Sequence, residues 1–181
     1  MRYLIGLTLA GTILVPALAP VGAQDGRVLA SARIPAAAGS CCRVVRKPAD
    51  ETRVATKLAE GTALAEAGQM AEAGRVLRAV IREQRRLQMY PADALRQLAN
   101  VELALDRPLV AAATLEQLAS AAAAASDPER ELLALVDAAI TYAQAGKRDR
   151  QHQLMPRITV LLDSPGIAEP TRRDIARHIP E

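Results

Sequence analysis

The sequence predicts an all-α chain: three antiparallel helix hairpins stacked in an array, closed by a short C-terminal helix. Three observations predict it. Half of the 181 residues are apolar, mostly Ala, Leu and Val, with no Trp or Phe; such a core suits helices packed through small residues better than strands, which favour aromatic and β-branched side chains. Apolar residues recur at three- and four-residue spacings, the period of a helical stripe. Turn-forming residues at Gly68, Asp106 and Gly146 punctuate those stripes at offsets of 38 and 40 residues.

Taken in order, residues 1–23 have the pattern of a secretory signal. Arg2 supplies the positive start, Leu4 to Val15 is an uncharged apolar run, and Val21-Gly22-Ala23 offers small residues for cleavage after Ala23. The run of about 12 residues falls short of the ~20 that a membrane span needs. The expected location is therefore periplasmic or secreted. Residues 24–50 are predicted to form a flexible linker, since Gly26, Pro35, Gly39 and Pro48 interrupt any sustained period. The helical domain is expected over residues 51–181.

Helix one is predicted from Asp50-Glu51 to Gly68, with Asp50 or Thr52 as cap and Val54, Leu58, Gly61, Leu64 and Ala65 on one stripe. Gly68 can adopt the left-handed conformation that closes a helix. Helix two is expected from Met70 to Met89, ended by Tyr90-Pro91, with Met70, Ala73, Leu77, Val80 and Ile81 on its stripe. Helix three should open on Pro91 and carry Leu95, Leu98, Val101 and Leu105 on one face. Helix four runs to about Ala124 with Ala111, Ala112, Leu115, Leu118 and Ala122 inward. Ser126-Asp127-Pro128-Glu129 is the clearest helix start, and helix five carries Leu132, Val136 and Ile140 up to Gly146. Helix six is expected near Asp149, kinked by Pro156 or delayed to Met155, and a last helix spans Pro170 to His178.

The hairpins align by sequence. Gly61, Ala99 and Ala139 share a column, as do Ala73, Ala111 and Gln151, then Leu77, Leu115 and Met155, then Val80, Leu118 and Ile158. Over residues 51–163 this resembles the tetratricopeptide repeat family in degenerate form. That family's helix-turn-helix unit has small residues in these relations and a period of about 34 residues. The period here is longer, no aromatic residue opens a first helix, Gln151 replaces a small residue, and Pro156 interrupts the third unit. A plain helical bundle is the alternative architecture. The resemblance implies a binding module whose first helices form a concave face for a peptide or partner protein.

Few residues carry chemistry. Cys41 and Cys42 are the only cysteines. Adjacent Cα atoms lie about 3.8 Å apart, short of the roughly 4.4–6.8 Å of a relaxed disulfide. A thiol role in redox or soft-metal handling therefore stands beside an incidental pair of thiols. Arg75, Arg78, Arg82 and Arg85 form a helical stripe that can meet an anionic partner or simply be a solvated face, the preferred reading. No histidine pair, glycine-rich phosphate loop or nucleophile–base motif is present, so no catalytic, metal or cofactor site is assigned. With 23 cations against 20 anions and almost no aromatics, nucleic acid is not the expected partner. The expected function is a non-enzymatic, exported adaptor or scaffold that binds a protein or peptide. The alternatives are the thiol role and a structural envelope component held at a membrane.

Overall fold

A computed structural model describes residues 47–178. Seven helices make up 82 % of them, and there is no strand among the described residues. They are α1 (Pro48–Glu66), α2 (Met70–Arg86), α3 (Ala92–Ala104), α4 (Pro108–Ala124), α5 (Pro128–Gln144), α6 (Arg148–Leu162) and α7 (Glu169–His178). Each helix from α1 to α5 packs against the next, and α1 also touches α3.

Contacts two helices apart show how the hairpins are stacked. Arg96 on α3 pairs with Asp137 on α5, and Glu129 on α5 accepts from Thr171 Oγ1 on α7 at 2.5 Å. On the other side, Arg85 of α2 donates to Gln117 of α4 at 3.0 Å. Arg150 of α6 reaches Glu116 of α4 at 3.1 Å. Odd helices thus neighbour odd helices and even neighbour even, the two layers of a stacked repeat array rather than a plain bundle.

The links between helices share one device. Gly68 N–H donates to Ala65 O and Gln69 N–H to Leu64 O, the paired bonds that close a helix over a left-handed residue. The same pair recurs after α2, α3, α4 and α5, with Gln88, Asp106, Ser126 and Gly146 in the left-handed position. Helix two therefore ends at Arg86, through Gln88, and not at Met89 through the Tyr90-Pro91 step. The chain spends one such turn inside each hairpin and one between hairpins.

Other boundaries shift slightly. α1 starts at Pro48, inside the predicted linker, because Pro is well placed in a first turn. Neither Asp50 nor Thr52 caps it: Thr52 Oγ1 donates back to Pro48 O at 3.1 Å. Pro91 stands one residue before α3. α6 begins at Arg148 and runs through Pro156, so its start is not delayed. Asp127 does cap α5, accepting from Arg130 N–H at 3.1 Å.

The predicted columns are buried. Gly61, Ala99 and Ala139 are all inside. Ala73 and Ala111 are fully covered, and so are Leu77, Val80, Leu118 and Ile158 to within a few per cent. A Cβ on Gly61 would lie 3.0 Å from Leu77 Cδ2, so the absence of a side chain sets the α1–α2 approach. Each buried Leu or Ile stabilises by roughly 1.5–3 kcal/mol. Gln151 and Met155 are only half-buried, which loosens the third unit at the two columns where it departs from the pattern. The last helix is anchored, since its Ile175 and the preceding Ile167 join the core.

Candidate functional site

The arginine stripe is largely spent on the fold. Arg78 Nη1 donates to Glu102 Oε1 on α3 at 2.6 Å, and Glu102 is 2 % exposed. Arg85 is bonded to Gln117 on α4. Arg75 lies 3.5 Å from Glu72 on its own helix, and Arg82 has no ion-pair partner among the described residues. Two of the four therefore hold neighbouring helices together, a role that periodicity along α2 alone could not reveal. Cys41 and Cys42 lie outside the described residues. His152 is exposed on α6. Among the described residues no group of three metal-ligating side chains converges. No helix among them is long and apolar enough to cross a membrane.

The side chains converge instead between the first turns of α3 and α5, in the odd-helix layer. A cleft of about 520 Å³ opens there. Its accessible apolar surface is Leu133, 39 % exposed, while Ala92 and Leu118 close it from beneath at 4 % and 1 % exposure. Asp93, Arg96, Asp127, Glu129 and Arg130 supply its charges. The local sequence explains the placement. Pro91 precedes α3 and Asp127-Pro128 begins α5, so first-turn acids of both helices meet at one end of the array.

These charges are mutually engaged to different degrees. Arg96 pairs with Asp137, linking α3 to α5. Arg130 stands 5.6 Å from the centre of the Tyr90 ring, a cation–π contact. It also lies 3.6 Å from Asp127 and 3.8 Å from Asp93. Burial, with Asp127 nearby, pushes the Tyr90 phenol above its ordinary value. The Tyr90 hydroxyl is buried and makes no well-formed hydrogen bond, although Arg130 lies beside it and opposes the shift. Tyr90 also borders a smaller hollow of about 400 Å³ with Arg85, Met89, Pro91, Ala121 and Ala124.

A second cluster is structural. Tyr142 donates to Glu116 Oε1 at 2.5 Å, and Arg150 reaches the same carboxylate while its guanidinium lies 5.5 Å from the Tyr142 ring centre. Burial first, and the Glu116 bond second, raise the Tyr142 phenol above its ordinary value. At 5 % exposure, Tyr142 offers no face to a substrate. The cluster ties α4, α5 and α6 together.

Sequence periodicity alone did not single out the α3–α5 cleft. One signal was available: Tyr90 and Arg130 stand 40 residues apart, the offset between the second and third hairpins, and so stack in adjacent units. Comparisons with protein-family models, curated proteins and solved structures found no match in any of the three.

Proposed function

We propose that the chain is an exported, non-catalytic helical-repeat protein of the degenerate tetratricopeptide kind, and that its odd-helix layer holds a protein or peptide in the cell envelope. The observation that carries this reading is the α3–α5 cleft. It combines an exposed Leu133 with a charged rim on a stacked helical scaffold. Binding surfaces of repeat arrays form where successive units present equivalent helices side by side. Residues 1–23 support export by their charge and hydropathy pattern. The reading calls for no cofactor and no nucleic acid. The basic stripe is a poor anchor for a membrane or a polyanion, because Arg78 and Arg85 are already bonded within the array.

Site-directed photo-crosslinking tests it. A photoreactive residue replacing Leu133 in the full-length chain, expressed in its native envelope, is expected to capture a partner protein. The same residue at Arg82 on α2 is expected to capture none. No product from the Leu133 position would count against the reading. N-terminal sequencing of the exported protein tests cleavage after Ala23.

A further inference from the structure

The charges of the cleft specify its occupant. Three carboxylates line it, Asp93, Asp127 and Glu129, and of its two guanidinium groups Arg96 is paired with Asp137 beyond the lining residues, which leaves Arg130 as the cation facing those three acids. The N-termini of α3 and α5 add roughly half a positive unit each, which still leaves the site anionic. The first-turn acids serve their helices, but their partners are unequally shared. Arg96 is committed to Asp137. Arg130 is divided between Asp127, Asp93 and the Tyr90 ring. Asp93 is left 79 % exposed with only a 3.8 Å contact. Glu129 has the Thr171 hydroxyl and no cationic partner among the described residues. Both of these under-neutralised acids line the cleft with Leu133.

We propose that the cleft receives a basic segment of a partner protein, seating one apolar side chain against Leu133 and a flanking Lys or Arg at Asp93 and Glu129. This rests on the peptide-binding reading above and names the class of peptide. An acidic segment would place like charges against Asp93 and Glu129, which costs affinity and slows encounter. An uncharged apolar segment would leave Asp93 and Glu129 as they are and gain only the Leu133 contact. Each exposed ion pair contributes little alone, so the preference is strongest at low salt and shrinks as salt screens it.

Two labelled nonapeptides test the assignment by fluorescence anisotropy with the full-length protein: Ala-Ala-Lys-Ala-Leu-Ala-Lys-Ala-Ala, and the same peptide with Glu in place of both Lys. The lysine peptide is expected to bind at least about tenfold more tightly at low salt, with the difference reduced at high salt. Asp93→Asn with Glu129→Gln is expected to erase the preference while circular dichroism and Tm show the helices intact. Should that pair of changes unfold the chain, Asp93→Asn alone should still narrow the preference. Arg75→Gln, far along α2, should change nothing. Equal binding of the two peptides, tighter binding of the glutamate peptide, or a preference untouched by Asp93→Asn overturns the assignment and leaves peptide binding standing. Binding of neither peptide also overturns it, and takes the peptide-binding reading with it if the Leu133 crosslink is absent too.

Discussion

Arg78 donates to Glu102 at 2.6 Å across the α2–α3 junction, and the residues that match them one unit later, Glu116 and Tyr142, are bonded to each other at 2.5 Å across α4–α5. The offsets are those of the small-residue columns, 38 for the even-helix residue and 40 for the odd-helix residue. The repeat is thus written in polar contacts as well as in alanine and glycine. Chemistry differs between the units, an ion pair in one and a phenol on a carboxylate in the other, but the geometry of the junction is kept.

The first junction should be sensitive to loss of its cation. Glu102 is 2 % exposed, and its other oxygen lies 3.6 Å from Arg107. Removing one partner of a buried pair costs about 3–5 kcal/mol when both ions are covered. Arg78 is 42 % exposed and Arg107 remains, so Arg78→Met is expected to lose about 2 kcal/mol in urea unfolding. The double variant Arg78→Met with Glu102→Leu should recover part of that loss, since it leaves no unpaired charge. A double variant less stable than Arg78→Met alone would contradict this account.

Buried Tyr142 and half-buried Tyr90 should respond in opposite directions to loss of the hydroxyl. Tyr142 donates to a charged acceptor, so Tyr142→Phe should destabilise by about 1.5 kcal/mol at neutral pH. The Tyr90 hydroxyl is buried without a well-formed hydrogen bond, so Tyr90→Phe should be neutral or stabilising by up to about 1 kcal/mol. Both phenols titrate above their ordinary value of 10.0. The folded state therefore holds their protons more tightly than the unfolded state. That contribution is complete below pH 10 and is lost as pH rises through the folded values. Stability measured from pH 9 to 12 should fall less steeply in each Phe variant than in the parent.

The architecture was readable because it depends on local period and on small residues at fixed columns. Gly61, Ala99 and Ala139 are buried where their alignment put them, and Ala111, Ala112, Leu115, Leu118 and Ala122 all face inward on α4. The junction chemistry was not readable, since Arg78 and Glu102 are 24 residues apart and no helical period links them. The left-handed turns at Gln88 and Ser126 were also hidden. Neither residue type announces that conformation as glycine does. The cleft escaped for a related reason: its acids read singly as ordinary first-turn residues of α3 and α5.

Glu83 ties α1 to α2 and should set an acid limit to that contact. Its carboxylate meets Arg86 at 2.8 Å and Arg53 of α1 at 2.6 Å. The Arg86 bond, aided by Arg53 and opposed by burial, lowers its pKa from 4.5 to about 2. A depressed carboxylate stabilises the fold above its unfolded value and stops doing so as pH falls through the folded one. The window is therefore from about 4.5 down to about 2. Carbon-detected NMR titration should find Glu83 among the last carboxylates to protonate, and Arg86→Gln should raise its midpoint. A Glu83 midpoint near 4.5 in the parent would refute the clamp.

The helix-closing turns allow a test in which conformation and packing separate. A Cβ on Gly68 would meet nothing within 4 Å, yet its φ is +77°. Gly68→Ala should therefore lose about 1 kcal/mol through backbone strain alone. Ser126 holds φ of 56° with a side chain, so Ser126→Gly should gain up to about 1 kcal/mol, less the entropy that glycine adds to the unfolded chain. Gly61 is the contrasting case, with ordinary helical backbone and Leu77 Cγ 3.1 Å from the added carbon. Overpacking there costs about 1–3 kcal/mol. Helix propensity returns about 1 kcal/mol for Gly→Ala. Leu77 is fully buried and cannot swing aside, so Gly61→Ala should lose a net ~1 kcal/mol, and Leu77→Ala should relieve the clash specifically. In a urea-unfolding cycle, Gly61 and Leu77 should couple by more than about 0.5 kcal/mol, whereas Gly68 and Leu77 should be additive. Coupling at Gly68, or none at Gly61, would reverse the assignment of these two glycines.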